Sequence, residues 1–189
     1  MIRLSNLRHY TQLDTIQLLI GLRREVEQFR SVVKNLRVSE NAIELDLYVI
    51  DDNLKTRSLE KLSRKFGDVL TARNLDSDNE FQSKDSVIKE TISLFNQQRY
   101  WESHETLEQI WRREPKGPEK DVQQGIILAA SAMVHFQKNE NNVCLGMIPS
   151  AVAKLSQWSE TRYYGVNIID LKRNLVKILE SKIIAPFEI

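Results

Sequence analysis

The order of apolar and polar positions divides the chain into two regions with different periods. Up to about residue 73, strand and helix periods alternate. Residues 2–8 read as a short strand. Asp14 stands three before Gln17, a capping-box spacing, ahead of Ile16, Leu18, Leu19, Leu22, Val26 and Phe29, which predicts a helix. The run from Val32 to Val38 reads as a strand and Ser39-Glu40-Asn41 as its turn. Ile43, Leu45, Leu47 and Val49 then alternate with Glu44, Asp46 and Tyr48, the period of a half-buried strand with one polar face. Asp51-Asp52-Asn53 predicts the start of a second helix, with Leu54, Leu59, Leu62 and Phe66 inside and Gly67 at its end. Val69 to Ala72 is a last strand. The order β-α-β-β-α-β is the ferredoxin-like pattern, here over residues 1–74.

Residues 75–84 are polar and short of apolar positions, and read as a linker. Beyond them every segment has a helical period. One helix, capped by Asp85 or Ser86, carries Val87, Ile88, Thr91, Ile92 and Phe95. A second runs from Tyr100 to about Arg113, where Glu114-Pro115-Lys116-Gly117-Pro118 breaks it. The third, from Glu119 to about Lys138, is apolar nearly all round and therefore central. A fourth spans Asn141 to about Ser156, and Pro149 predicts a kink or a restart within it. Tyr163 to Asn167 reads as a loop, and Asp170 leads into a fifth helix with Leu171, Leu175, Ile178 and Leu179. Ile184-Ala185-Pro186-Phe187 reads as an extended tail laid over the helices. The expected fold class is α+β, with a ferredoxin-like domain (1–74) followed by an all-α five-helix bundle (85–189).

Chemistry concentrates on the second of these helices. At 100° per residue, Tyr100, His104, Leu107, Glu108 and Trp111 fall in one arc, with Glu102, Thr106, Gln109 and Arg113 on the opposite, solvated side. An imidazole and a carboxylate among aromatic residues need partners, because unpaired buried charge is costly. The central helix offers Gln124, Ser131 and His135 on a matching stripe. If the two helices are antiparallel, Gln124 and His135 lie at its opposite ends, and either end could reach His104 and Glu108. The candidate pocket is Trp101, His104, Trp111, Gln124, Ser131, His135 and Tyr164. One chemistry for it is a divalent metal site, with His104, Glu108 and His135 holding zinc or iron and Glu105 as a nearby base. The His-Glu-x-x-Glu spacing is similar to zinc peptidase helices, with Glu108 where the second histidine would stand. Another is a structural polar lock, in which His104 and Glu108 bond each other and a neighbouring helix. A third is acid/base work by Glu108 and His104 without a metal.

The residues Phe95-Asn96, Tyr100-Trp101-Glu102, His104-Glu105, Leu107-Glu108 and Trp111 together resemble the signature of the domain of unknown function 309 family. Gln124-Gly125-Ile126-Ile127, His135, Gly146 and Tyr164-Gly165-Val166 extend the likeness over about residues 85–180. The resemblance implies a compact all-helical domain, and some members of that family carry the label of predicted metal-dependent hydrolase. Ser103 stands where alanine is usual, and Pro149 interrupts the fourth helix.

Composition narrows the rest. A formal net charge of +1 over 189 residues gives no bulk attraction to nucleic acid or an anionic membrane. On the polar face of the best strand Glu44 and Asp46 would repel phosphates, and Arg3, Arg37 and Arg73 offset this only in part. Nucleic-acid binding and membrane association are not expected; a protein partner or self-association stays open. Cys144 is the single cysteine, so no disulfide forms within the chain, and a reducing, cytoplasmic setting is expected. Two function classes remain. One is an interaction or scaffold protein whose helices bury a polar lock, and the other is a metal-dependent hydrolase using His104, Glu108 and His135.

Overall fold

The computed structural model describes residues 1–74 and 83–189. The expected linker lies outside the described residues, save for Ser83 and Lys84, which open a helix. The chain forms two compact units, the first mixed α+β and the second largely helical.

In the first unit, strand β1 (Ile2–Ser5) is followed by a short 3-10 turn (Gln12–Asp14) and helix α1 (Thr15–Glu27). Strands β2 (Ser31–Val38) and β3 (Ala42–Val49), helix α2 (Asp52–Phe66) and strand β4 (Val69–Ala72) complete it. The capping box sits one turn earlier than the spacing predicts: the Asp14 carboxylate accepts from Thr11 N at 2.7 Å and from Thr11 Oγ1 at 3.0 Å. The sheet order is β2-β3-β1-β4, and every neighbouring pair is antiparallel. Ile2 and Leu4 of β1, Val33, Leu36 and Val38 of β2, and Ile43 and Leu45 of β3 form one core with Leu18, Leu22 and Val26 of α1 and Leu62 and Phe66 of α2. The opposite face is charged. Register places Glu44 beside both Arg3 and Arg37, with Arg3 Nε 3.5 Å from one carboxylate oxygen and Arg37 Nε 3.6 Å from the other. Arg37 Nη2 also reaches Asp46 Oδ1 at 2.8 Å.

The second unit holds helices α3 (Lys84–Asn96), α4 (Tyr100–Trp111), α5 (Pro118–Gln137) and α6 (Asn141–Leu155). A hairpin of β5 (Arg162–Tyr163) and β6 (Val166–Asn167) precedes α7 (Ile168–Ser181). Ser83, rather than Asp85 or Ser86, caps α3, its hydroxyl accepting from Ser86 N at 3.2 Å. At the far end of α3, Arg99 N bonds Leu94 O and Gln98 N bonds Phe95 O, with Gln98 at a φ of 58°. This is a Schellman closure with glutamine in the left-handed position, and it turns the chain sharply into α4. The loop expected at 163–167 is instead the hairpin, whose turn is Tyr164-Gly165 with Tyr164 at a φ of 50°. Asn167 caps α7, accepting from Asp170 N at 3.2 Å. Helix α6 continues through Pro149 with no restart, its inner face of Cys144, Ile148, Ala151 and Leu155 fully buried.

That inner face joins Val122, Ile126 and Ala129 of α5 and Leu171, Leu175 and Ile178 of α7 in the main helical core. Helix α5 supplies members of both helical clusters and is central, as its apolar composition predicts. Gly125 permits a close approach of α5 to Leu155 of α6. A Cβ there would lie 2.6 Å from Leu155 Cγ and 3.0 Å from Leu155 N, and Leu155 is itself fully buried. Gly125→Ala is therefore expected to lower stability by about 1–3 kcal/mol through overpacking. Urea unfolding of the two proteins measures the difference, and an unchanged midpoint would contradict the packing described.

Candidate functional site

Helix α4 carries the predicted chemistry, but its buried face differs from the one periodicity suggests. Tyr100, Ser103 and Leu107 are buried, and so are Glu102 and Thr106, which the arc assigned to solvent. Antiparallel packing against α3 decides this. Ser103 Oγ donates to Thr91 O at 3.0 Å across the pair, and Thr91 Oγ1 in turn donates to Val87 O at 2.8 Å. Small polar side chains whose hydroxyls find backbone acceptors let two helices approach closely. Glu102 tolerates burial because Arg99 grips it with two bonds, at 2.8 and 2.6 Å.

Trp101, His104, Glu105, Glu108 and Trp111 consequently lie on the margin of the helix, each half-buried. His104 Nε2 stands 3.5 Å from Glu108 Oε1, too long for a strong hydrogen bond. The other oxygen of Glu108 accepts from Arg112 Nη2 at 2.7 Å. This triplet runs along a single helix and does not span two. The Trp101 ring lies 5.7 Å from the His104 ring. Burial lowers the His104 pKa from its ordinary value; Glu108 pulls the other way and Arg112 adds to the lowering. Its imidazole is therefore neutral near pH 7, and its Nδ1 is buried without a hydrogen-bond partner.

Helices α4 and α5 run antiparallel. Lys120, near the start of α5, stands over the Trp111 ring at 5.0 Å. At the other end Trp101 packs against the cluster holding Ala130, Met133 and Val134. Gln124, Ser131 and His135 share one half-buried stripe of α5, as their offsets predict. His135 does not join His104, however. Its Nδ1 pairs with Glu140 Oε2 at the α5–α6 corner, where Glu140 N also bonds His135 O. Among the described residues no group of three histidine, cysteine, aspartate or glutamate side chains is placed to hold a metal ion. His104, Glu108 and His135 thus do not form one ligand set. Tyr164 is 47% exposed in the hairpin turn, stacked edge-on to Tyr163.

The polar network that does span several elements was missed in the sequence. Gln123, fully buried next to the half-buried Gln124, donates through Nε2 to Glu114 Oε2 at 2.9 Å and to Tyr163 Oη at 2.7 Å. Glu114 also receives Lys84 Nζ at 2.7 Å, and Lys84 reaches Glu119 at 2.9 Å. Lys120 Nζ donates to the Glu114 carbonyl at 2.9 Å. Burial works to raise the Glu114 carboxyl, but the bonds from Lys84 and Gln123 outweigh it and hold the group below its ordinary value. The bond to Glu114 raises Lys84, and burial pushes Tyr163 up to about 12. The one sequence hint is the Glu114-Pro115 break, where a helix end must find new bonding partners.

With this geometry in view, comparison with known families adds one result. Residues 88–147 match Domain of unknown function (DUF309). The DUF309 match takes in most of α3, all of α4 and α5 and the first half of α6, so it contains Glu114 and Gln123 as well as His104 and Glu108. It leaves Lys84, Tyr163 and the N-terminal unit outside. No curated protein matches the chain.

Two outcomes follow from the charges. Because His104 has a lowered pKa in the folded protein, the unfolded chain takes up its proton first as pH falls below about 6.5. Stability should therefore decrease from about pH 7.5 to 5.5, with a shallower slope in His104→Gln; a stability that rises over this range would mean a protonated His104 bound to Glu108. Replacing Gln123 with leucine strands the Tyr163 hydroxyl and weakens the hold on Glu114, at an expected cost of about 1–3 kcal/mol. Glu108→Gln, which removes only half-exposed pairs on one helix, should cost less than about 1 kcal/mol. Chemical denaturation of both variants reads the order, and the reverse order would contradict it.

Proposed function

We propose that the helical unit is a non-catalytic binding module, a five-helix bundle whose shape is held by the Lys84–Glu114–Gln123–Tyr163 network. The observation that carries this reading is the separate engagement of the three expected metal ligands. His135 turns to Glu140, and Glu108 is shared between His104 and Arg112. The lock expected between His104 and Glu108 then falls to the buried amide of Gln123, which links α5 to the turn before it and to the hairpin. The N-terminal unit is read as a ferredoxin-like accessory domain, supported by its element order and by the strand order β2-β3-β1-β4. Its polar sheet face spends Arg3 and Arg37 on Glu44 and Asp46, which argues for a protein partner over a nucleic acid. A reducing, cytoplasmic setting fits Cys144, a buried free thiol within the helical core. Among the described residues no helix is long and apolar enough to cross a membrane.

A metal-dependent hydrolase is the second reading; it requires His135 to leave Glu140 and join His104 and Glu108 on a metal, with Glu105 as base. In its favour stands the neutral His104 ring with a buried, unbonded Nδ1, which is the state a metal ligand needs. Elemental analysis of the purified full chain, before and after chelation, separates the two. The binding-module reading expects no stoichiometric zinc or iron and an unchanged melting temperature after chelation. Stoichiometric metal that is lost in His104→Ala would overturn it.

A further inference from the structure

The four-stranded sheet of the first unit ends in two unequal edges. The strand order β2-β3-β1-β4 leaves one side of β2 and one side of β4 unpaired among the described residues. Such an edge offers a row of N–H and C=O groups to any other extended chain, and proteins ordinarily cover or charge it. Both edge strands carry a bulge, so the difference lies in what covers them. Helix α1 and the turn before it cover β2, where Arg23 Nε donates to Val33 O and Gln12 Nε2 to Val38 O, each at 2.9 Å. Lys34 adds an exposed charge to the same strand. Among the described residues β4 has no such cover. Its sequence, Val69-Leu70-Thr71-Ala72, holds neither a charge nor a proline, and all four residues are exposed.

The bonds at the two ends of β4 show which of its groups point outward. Arg73 N donates to Met1 O at 2.9 Å, and the Met1 amino group donates to Arg73 O at 2.7 Å. At the other end Ser5 N donates to Asp68 O and Asp68 N to Ser5 Oγ, both at 2.8 Å. Bonded and unbonded pairs alternate along an antiparallel ladder. Ala72, beside Arg73, and Val69, beside Asp68, therefore turn their N–H and C=O groups away from β1. Register sets Val69 opposite Leu4 and Ala72 opposite Ile2, two residues of the core. The side chains of Val69 and Ala72 thus lie on the helix-covered face of the sheet. On that face an open groove of about 370 Å³ is lined by Leu59 and Ser63 of α2 and by Val69. The sheet has room for another strand beside β4.

We propose that β4 is a self-pairing edge, at which two copies of the chain join in an antiparallel, two-fold arrangement. The segment is complementary to itself. A two-fold axis between Leu70 and Thr71 sets Val69 opposite Ala72 of the second copy, and Ala72 opposite Val69. The outward groups then meet in about four main-chain bonds. Opposed side chains share a face, as an antiparallel pair requires. The same axis sets Asp68 opposite Arg73 of the second copy, and Arg73 opposite Asp68, so unlike charges meet at both ends of the pairing. The inference concerns the first unit alone, and a metal bound by the helical unit would leave it standing.

The test is analytical ultracentrifugation of the full chain from about 1 μM to 1 mM, the range of affinities suited to a small interface. A reversible dimer is expected. Ala72→Pro removes an outward N–H while sparing the bonds to β1, and should raise the dimer Kd about tenfold or more. Asp68→Arg and Arg73→Asp each set like charges against each other, and each should raise it about tenfold. Mixed in equal amounts, these two variants oppose unlike charges again and should form a heterodimer about tenfold tighter than either variant alone. A chain that is monomeric over the whole range overturns the proposal. So does a dimer indifferent to Ala72→Pro, or a mixture no tighter than its components. Should Ala72→Pro fail to melt cooperatively, the mixture of charge variants decides by itself.

Discussion

The helical unit depends on a single buried amide. Gln123 has no exposed surface, and its Nε2 holds Glu114 on one side and the Tyr163 hydroxyl on the other. A primary amide so deep in a core is costly unless it is bonded. Gln123 Nε2 makes both of its bonds while Oε1 has no partner among the described residues, so it is the neighbours of Nε2 that are constrained to meet it. Glu114 must therefore fold back over the start of α5, which fixes where α4 ends. Tyr163 must point inward, which fixes the hairpin and the entry to α7. Lys84 completes the set by bringing the first turn of α3 to Glu114. Three helices and a hairpin are registered by groups far apart in the chain.

Given that register, the margin of α4 acquires its character. Ser103 and Thr91 set the depth to which α4 sinks against α3, and Trp101, His104, Glu108 and Trp111 are left half in and half out. His104 is buried enough to stay neutral, yet its carboxylate neighbour is anchored to Arg112 on the same helix. Such a stripe offers aromatic surface with a few polar atoms, and the proposed binding role rests on it. The C-terminal tail lies against the Trp101 end of the same stripe through Phe95 and Tyr100.

Much of the fold was legible from period alone. The strands and helices of both regions fall where alternation and helical spacing place them, because burial on one face imposes those periods directly. Three features were not legible, each for a physical reason. The rotation of α4 is hidden because the aromatic residues dominate its helical period, whereas the face buried against α3 carries the small side chains Ser103 and Thr106. The hairpin at Tyr164-Gly165 was hidden because each strand is two residues long and leaves no alternating run. The choice between Gln123 and Gln124 lay beyond reach, since neighbouring residues differ by 100° around a helix and only the packing partners say which points inward. His104 and Glu108 lie four apart on one helix, and nearness along a helix does not link that helix to its neighbours. The partners that do link them, Lys84, Glu114 and Tyr163, are up to 79 positions apart and share no motif.

The account is tested most directly by asking whether Glu114 and Tyr163 sense each other through Gln123. A double-mutant cycle of Glu114→Gln and Tyr163→Phe, read by chemical denaturation, should give a coupling energy of about 0.5–3 kcal/mol in the parent chain. The same cycle in a Gln123→Leu background should give a coupling near zero. Additive effects in the parent chain, or an equal coupling without Gln123, would contradict the claim that this amide registers the helices.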